Sequence, residues 1–443
     1  MTCPRAEDYH IGWISSLQTE YAVAWQLLSE AFPSPNLSTN DRNAYTCGRI
    51  GEHNVVMTCL AMGSYGLTSA ASVATDMLRS FSAIRFGLMV GIGGGAPSEK
   101  HDIRLGDVVV SAPAGQRGGV MHYAFGKAIQ NRAFEWTGSL NSPPEVLLRA
   151  VGKLATLHEI HGHQIRSTVN DMIQKNTRLQ RKYQKPPPRT DVLYKSSFIH
   201  PNDNKDCIEL CIKQRDQIIQ RADRGPKEDD PVVHYGLIAS ADQLMKDADA
   251  RDRLAEKEGV LCFEMEAAGL MDRFPCVVIR GICDYSDTHK NDIWQGYAAA
   301  TAAAYAKELL GVIPGNRFLQ EAMPTAADTM ENAAYTTGNA AYTTENSSKK
   351  CLEPAKLEAM LKDRPHGRGQ DLNWQTSIID LLKLLCLDSG LQARSRLADI
   401  LNVHVDLHGR AKQNIALHRA LMKALAENNG EVPKDIQDSL SLD

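Results

Sequence analysis

Residues 276 to 282, Cys-Val-Val-Ile-Arg-Gly-Ile, make an apolar run of strand length that leads into Cys283-Asp284. No other stretch constrains the fold as strongly. A short, nearly continuous apolar segment reads as a strand buried in a sheet, and the lone carboxylate Asp284 then arrives at its carboxyl end, where open α/β sheets place their chemistry. Upstream, the acidic pair Glu264 and Glu266 opens a run of small residues that is expected to be a helix. Taken alone, the stretch fits equally a helix with solvated glutamates followed by a core strand capped by an Asp turn.

The surrounding chain repeats the pattern. Residues 9 to 15, 55 to 60, 86 to 90, 105 to 110 and 232 to 239 read as strands, and helices are expected over 20 to 28, 69 to 78, 145 to 157, 206 to 221 and 294 to 310. Such alternation implies an α/β fold with a twisted mixed central sheet flanked by helices. Between about 117 and 232 the pattern weakens, and the basic stretch 175 to 185 reads as an exposed loop face. From 314 to 350 Ala, Thr, Asn and Ser dominate, and the hexamer beginning at Asn332 recurs at Asn339. Two copies are too few for a repeat architecture, so a flexible linker is expected. Beyond it, 377 to 387, 391 to 401 and 414 to 427 carry apolar residues at three and four spacing, which predicts a small all-α domain. The resulting scheme is a first domain over 1–312, a linker over 313–352 and a helical domain over 353–443.

A chain of 443 residues with 43% hydrophobic content can bury two or more cores. Its formal charge of −4 argues against a nucleic-acid partner, as does the lack of interleaved aromatics in the basic stretch. No charge-free apolar run approaches the ~18 residues of a membrane span, and the amino terminus lacks a charged-then-apolar leader, so a cytoplasmic location without membrane contact is expected. The ten cysteines are scattered, which fits reduced core thiols. Cys207 and Cys211 share a helix face without a second pair nearby at zinc spacing, so no metal is expected there.

Three apparent motifs fail on their context. Gly91-x-Gly93-x-x-Ala96 follows a strand, but Pro97 and a charged turn come next where a dinucleotide fold needs a helix. What survives is a glycine-lined strand end that lets a ligand approach the backbone closely. Gly126-Lys127 lacks the upstream glycine and the following hydroxyl of a phosphate loop. His158-Glu159-Ile160-His161 has Gly162 where a metalloprotease helix needs its second histidine, and reads as a solvated helix end.

Four segments carry a family resemblance: residues 11 to 20, Gly91-Ile-Gly-Gly-Gly95 with 105 to 111, Phe263-Glu-Met-Glu-Ala-Ala268, and Arg280-Gly-Ile-Cys-Asp284. With these, the first 312 or so residues resemble the nucleoside phosphorylase and nucleosidase superfamily, in the form found at the amino terminus of fungal signalling proteins. Residues 351 to 443 resemble a small helical domain of unknown function. The resemblance implies cleavage of a purine N-glycosidic bond, which creates an oxocarbenium-like sugar and a purine anion. Asp284 would protonate N7 of the base, helped by apolar burial. Glu266 would accept hydrogen bonds from the ribose hydroxyls and Met265 would pack on the sugar. Phe263, Glu264, Gly91, Gly93, Gly94 and Gly95 complete the substrate-binding candidates.

Phosphorylases of this superfamily hold phosphate with Gly-Asp-Pro and an arginine after the first strand, whereas here the loop reads Ser15-Ser16-Leu17-Gln18-Thr19-Glu20. Glu20 falls where nucleosidases keep a water-activating carboxylate, which favours hydrolysis; its plain alternative is a first-turn helix acid. Some relatives in immune-type systems attack ATP, so Arg42, Lys100, His101 and Arg104 stand as candidate phosphate contacts. The expected activity is a hydrolase without cofactor or metal, acting on a purine nucleoside or nucleotide. A purine nucleoside phosphorylase and an inactive nucleotide sensor are the rivals. A homo-oligomer and a protein partner for the carboxy-terminal helices stay open.

Overall fold

The computed structural model describes residues 3–35, 37, 40–132, 134–201, 207–225, 228–315, 325–326, 360–361, 374, 377–401, 403, 410–428 and 430–440. The chain divides into two compact units, Met1–Ala333 and Ala334–Asp443.

Among its described residues the first unit has twelve strands: β1 (Ile11–Ser15), β2 (Glu30–Phe32), β3 (Tyr45–Ile50), β4 (His53–Cys59), β5 (Phe86–Gly95), β6 (Val108–Ser111), β7 (Val120–His122), β8 (Gly126–Lys127), β9 (Glu135–Trp136), β10 (Val233–Ser240), β11 (Val260–Glu264) and β12 (Cys276–Asp284). Nine run in the order β11-β10-β6-β12-β5-β1-β4-β3-β2, with β7 beside β10 and β8 pairing β9 apart. The sheet is mixed, because β12 runs parallel to β5 but antiparallel to β6. It also curls back on itself, as β11 pairs antiparallel with the end of β5 through Phe263–Gly94 and Cys262–Gly95. Every residue of β1 and β12 is buried, as apolar strands at the middle of a covered sheet require.

Among the described residues, six helices of at least nine residues flank the sheet: α1 (Gln18–Gln26), α2 (Leu67–Ser80), α3 (Glu145–His161), α4 (Ile165–Lys175), α5 (Ala248–Glu258) and α6 (Gln295–Val312). The alanine run of α6 has a packing reason. Its backbone lies so close to β12 that a Cβ on Gly281 would stand 1.8 Å from the Ala298 carbonyl oxygen.

Several expectations are corrected. The helix over 206 to 221 shrinks to one turn, Cys207–Leu210, because the chain then turns to bridge Ile218 to Tyr194; Asp206 itself lies outside the described residues. The acidic pair opens no α-helix: Glu264 ends β11, and its carboxylate accepts the Glu266 and Ala267 N–H groups, closing a 3-10 turn over Ala267–Gly269. The basic stretch 175 to 185 is largely exposed, as expected, but it is helical over Thr177–Leu179 and Gln180–Tyr183 rather than a loop, and Tyr183 is buried with its hydroxyl donating to the Thr19 carbonyl at 3.0 Å. His158 is likewise buried, 2.8 Å from Glu308 Oε2. Of the linker span, residues 313–315 and 325–326 are described, and Ala326 is buried with its N–H on the Ile84 carbonyl. The repeated hexamer lies outside the described residues.

In the second unit α7 (Ile378–Leu384), α8 (Leu391–Ile400), α9 (Arg410–Glu427) and α10 (Lys434–Leu440) enclose their own core of leucines, among them Leu381, Leu397, Leu421 and Leu440. No helix among the described residues is long and apolar enough to cross a membrane.

Candidate active site

The carboxyl end of β5 is the floor of the site, and its sheet neighbours β12 and β1 supply the groups on either side. Asp284 closes β12 opposite Gly94. Glycine is demanded here, because a Cβ on Gly94 would sit 2.2 Å from Ser286 Oγ and 2.6 Å from Asp284 Oδ1. Asp284 is buried, its Oδ1 accepts the Ser286 N–H at 2.9 Å, and Lys290 Nζ donates to Oδ2 at 2.6 Å. Apolar burial therefore does not act alone on this carboxyl, as the sequence suggested; a cation accompanies it. Ser286 holds a left-handed φ of 54°, and its buried hydroxyl has no hydrogen-bond partner among the described residues.

Across β5, Glu20 lies in the first turn of α1. Its Oε2 accepts the N–H groups of Ser16 at 2.7 Å and Leu17 at 2.9 Å, and Oε1 accepts that of Ile92 at 2.8 Å. Glu20 thus serves as a helix-start acid and also reaches the glycine strand. Burial pushes its carboxyl up, against the pull of Arg280 and the three backbone donors. Gly91 leaves room for this arrangement, since a Cβ there would meet Glu20 Oε1 and Arg280 Nη1, each at 2.5 Å.

Arg280 joins the remaining acids. It is 1% exposed, and its Nη2 ion-pairs with Glu264 Oε2 and lies 3.4 Å from Glu266 Oε2. A buried guanidinium among carboxylates satisfies the rule that interior charge be paired. Glu266 also accepts the Gly66 N–H at 3.5 Å. Burial, with Glu264 and Glu20 nearby, raises its carboxyl to about 7 although Arg280 opposes the shift. Met265 is half-buried beside it, and Phe263 packs edge-on against Tyr123 with ring centroids 5.5 Å apart.

Three of the four candidate phosphate contacts, Lys100, His101 and Arg104, line one cavity of about 490 Å³, and Arg42 is not among its lining residues. Lys100 and His101 are exposed and also line a cavity of about 650 Å³ together with Arg221 and Arg251. Arg104 is already engaged by Asp102 Oδ2 and the Ala222 carbonyl. Arg42 is exposed in the loop before β3, which the Tyr45–Thr58 register sets at the carboxyl end of β4.

A model of the phosphorylase superfamily matches residues 19–311, well over half of the chain. The chain belongs to the phosphorylase superfamily. A domain of unknown function, DUF3597, matches residues 307–433. A nucleotide-binding leucine-rich repeat (NLR)-like protein of Hyaloscypha variabilis is 44% identical over 308 residues, covering 69% of this chain and 30% of that protein. The chain thus spans about 30% of that relative's length. Among solved structures, the futalosine hydrolase of Helicobacter pylori is 15% identical with a TM-score of 0.43, covering 68% of this chain and 97% of its own. The S-adenosylhomocysteine nucleosidase of Streptococcus pyogenes is 16% identical with a TM-score of 0.44, covering 69% and 98%.

Within this superfamily member, residue-by-residue reading passed over Arg280, Ser286 and Lys290. Arg280 carried a signal, as the lone charge in an apolar strand must find a buried partner. Ser286 and Lys290 carried none, because loop side chains are placed by the tertiary fold. The reading of Cys207 and Cys211 as thiols without further metal-spaced ligands is also corrected: His200 and His289 join them in one cluster.

Proposed function

We propose that this protein hydrolyses the N-glycosidic bond of a purine nucleoside or nucleotide, releasing free base and ribose or ribose phosphate. The observation that carries the reading is the engagement of Glu20. In a phosphorylase the loop after the first strand must seat an anion, and a helix N-terminus suits that task because its N–H groups are free. Here the Ser16 and Leu17 N–H groups are spent on Glu20's own carboxylate. An inorganic phosphate would meet a negative charge and occupied donors, whereas water would meet a proton acceptor.

Catalysis then divides among three carboxylates. Asp284 acts in its acid form: its carboxyl proton passes to the departing base as the C–N bond breaks, and Lys290 Nζ pairs with the carboxylate that is left. Glu266 accepts from the ribose hydroxyls, an interaction that strengthens as the sugar becomes cationic. Glu20, pushed up by burial, is a stronger proton acceptor than a free carboxylate and takes the proton of the attacking water. Gly93 and Gly94 keep the floor bare for sugar and base.

Chromatography of products from a panel of purine nucleosides and nucleotides, each with and without inorganic phosphate, tests the proposal. Free ribose or ribose phosphate should appear at a rate indifferent to phosphate. Strict phosphate dependence with ribose-1-phosphate as product would establish a phosphorylase, and binding without product would establish a sensor.

A further inference from the structure

Beside the site, four side chains from three chain segments bring their donor atoms within 4.8 Å of one another: His200, Cys207, Cys211 and His289. We propose that they form a closed structural zinc site of two thiolates and two imidazoles. The two cysteines stand one helical turn apart, with the Cys211 N–H on the Cys207 carbonyl at 2.8 Å, so both thiols leave on one side. His200 Nδ1 is 3.1 Å from Cys211 Sγ, and His289 Nδ1 is 3.4 Å from Cys207 Sγ. With zinc–nitrogen bonds of about 2.0–2.1 Å and zinc–sulfur bonds of about 2.3 Å, the edges of a tetrahedral site are about 3.3–3.8 Å. The cluster needs only a slight contraction to reach that geometry.

The tautomer of His289 is set for the task. Its Nε2 lies 2.9 Å from the Phe198 carbonyl, which can only accept, so Nε2 carries the hydrogen and Nδ1 turns its lone pair to the thiols. A backbone carbonyl behind the ring is the outer partner that metal-bound histidines characteristically use. The ring stacks on Tyr194 at 4.1 Å and lies against Phe198 at 5.0 Å, and Val192, Leu210 and Ile218 pack around the thiols. An apolar jacket suits this ligand set: a divalent ion with two thiolates is neutral, and the two thiol protons leave to solvent on binding. Soft sulfur with imidazole in a tetrahedral array selects zinc over oxygen-seeking calcium or magnesium.

The position gives the metal a consequence. His289 adjoins Lys290, the ion-pair partner of Asp284, and Asp284, Cys207 and His289 line one small cavity. Zinc therefore pins the 192–218 excursion to the loop after β12 and holds Lys290 in place. The metal site stands whether or not the chain proves to be a hydrolase.

Elemental analysis of the untagged full chain, purified reduced from zinc-supplemented cells, should give one zinc per chain. The double variant Cys207→Ser, Cys211→Ser should lose it, and removing zinc from the parent should lower its melting temperature. Should the variant fail to fold, the parent decides the matter: exchange with Co²⁺ should produce intense tetrahedral d–d bands and a thiolate-to-cobalt charge-transfer band. A reduced chain that takes up neither Zn²⁺ nor Co²⁺ would overturn the proposal. So would a Cys207–Cys211 disulfide in freshly prepared protein, or a folded double variant that keeps full stoichiometry.

Discussion

Asp284, Glu20 and Glu266 come from three separate segments, and each carries a distinct expectation. General acid and general base contributions are each typically about 10²- to 10⁴-fold, so Asp284→Asn and Glu20→Gln should each lower turnover by at least about 10²-fold in proteins with unchanged circular dichroism. Unchanged turnover in either would remove that residue from the mechanism. Glu20→Gln also loses an acceptor for one of three backbone N–H groups, which should cost about 1 kcal/mol in urea unfolding. Glu266 sets a pH dependence whose sign follows from its raised carboxyl. Between the ordinary value of 4.5 and about 7 the folded protein holds a proton that the unfolded chain has released. Its contribution is complete below the lower value and is lost as pH rises through the upper one, by at most about 1.4 kcal/mol per pH unit. Glu20 acts in the same direction. Unfolding free energies measured across this window should fall with pH in the parent and fall less steeply in Glu266→Gln; parallel curves would show that Glu266 keeps an ordinary carboxyl.

The contact between β12 and α6 ties the core to the site, because the strand that ends in Asp284 is the one α6 covers. A Cβ at Gly281 would stand 1.8 Å from a backbone oxygen, and backbone cannot swing aside as a side chain can. Gly281→Ala should destabilise by about 1–3 kcal/mol or more through overpacking. Parent-like stability in a urea titration would show that the helix can shift. At this level the sequence was readable where burial is uniform: β5, β12 and α6 follow from apolar or alanine-rich runs. It failed where the pattern is local and polar. The charged helix α5 and the helix α4 passed unseen, and the expected helix beyond Leu210 gave way to a tertiary bridge between Ile218 and Tyr194.

For the molecule as a whole, a chain ended after Ala333, the limit of the first compact unit, should keep the activity of the full chain. Ending it near Asn316 also removes buried Ala326 and its hydrogen bond to Ile84, so that version should be active but less stable. A folded, inactive product in the first case would show that the helical unit takes part in catalysis or assembly. The sequence by itself determined the α/β class, because burial periodicity is a property of the chain, whereas the three candidate carboxylates were pointed to by the family resemblance of the segments that carry them. Only the tertiary structure decided how these groups meet. Curling of the sheet brought β11 against β5, which set Glu264 and Glu266 on Arg280 and left Asp284 and Glu20 on opposite flanks of one glycine strand. It also drew two histidines onto Cys207 and Cys211. Pairings between residues far apart in the chain depend on strand order and loop paths, and no local pattern of side chains encodes them.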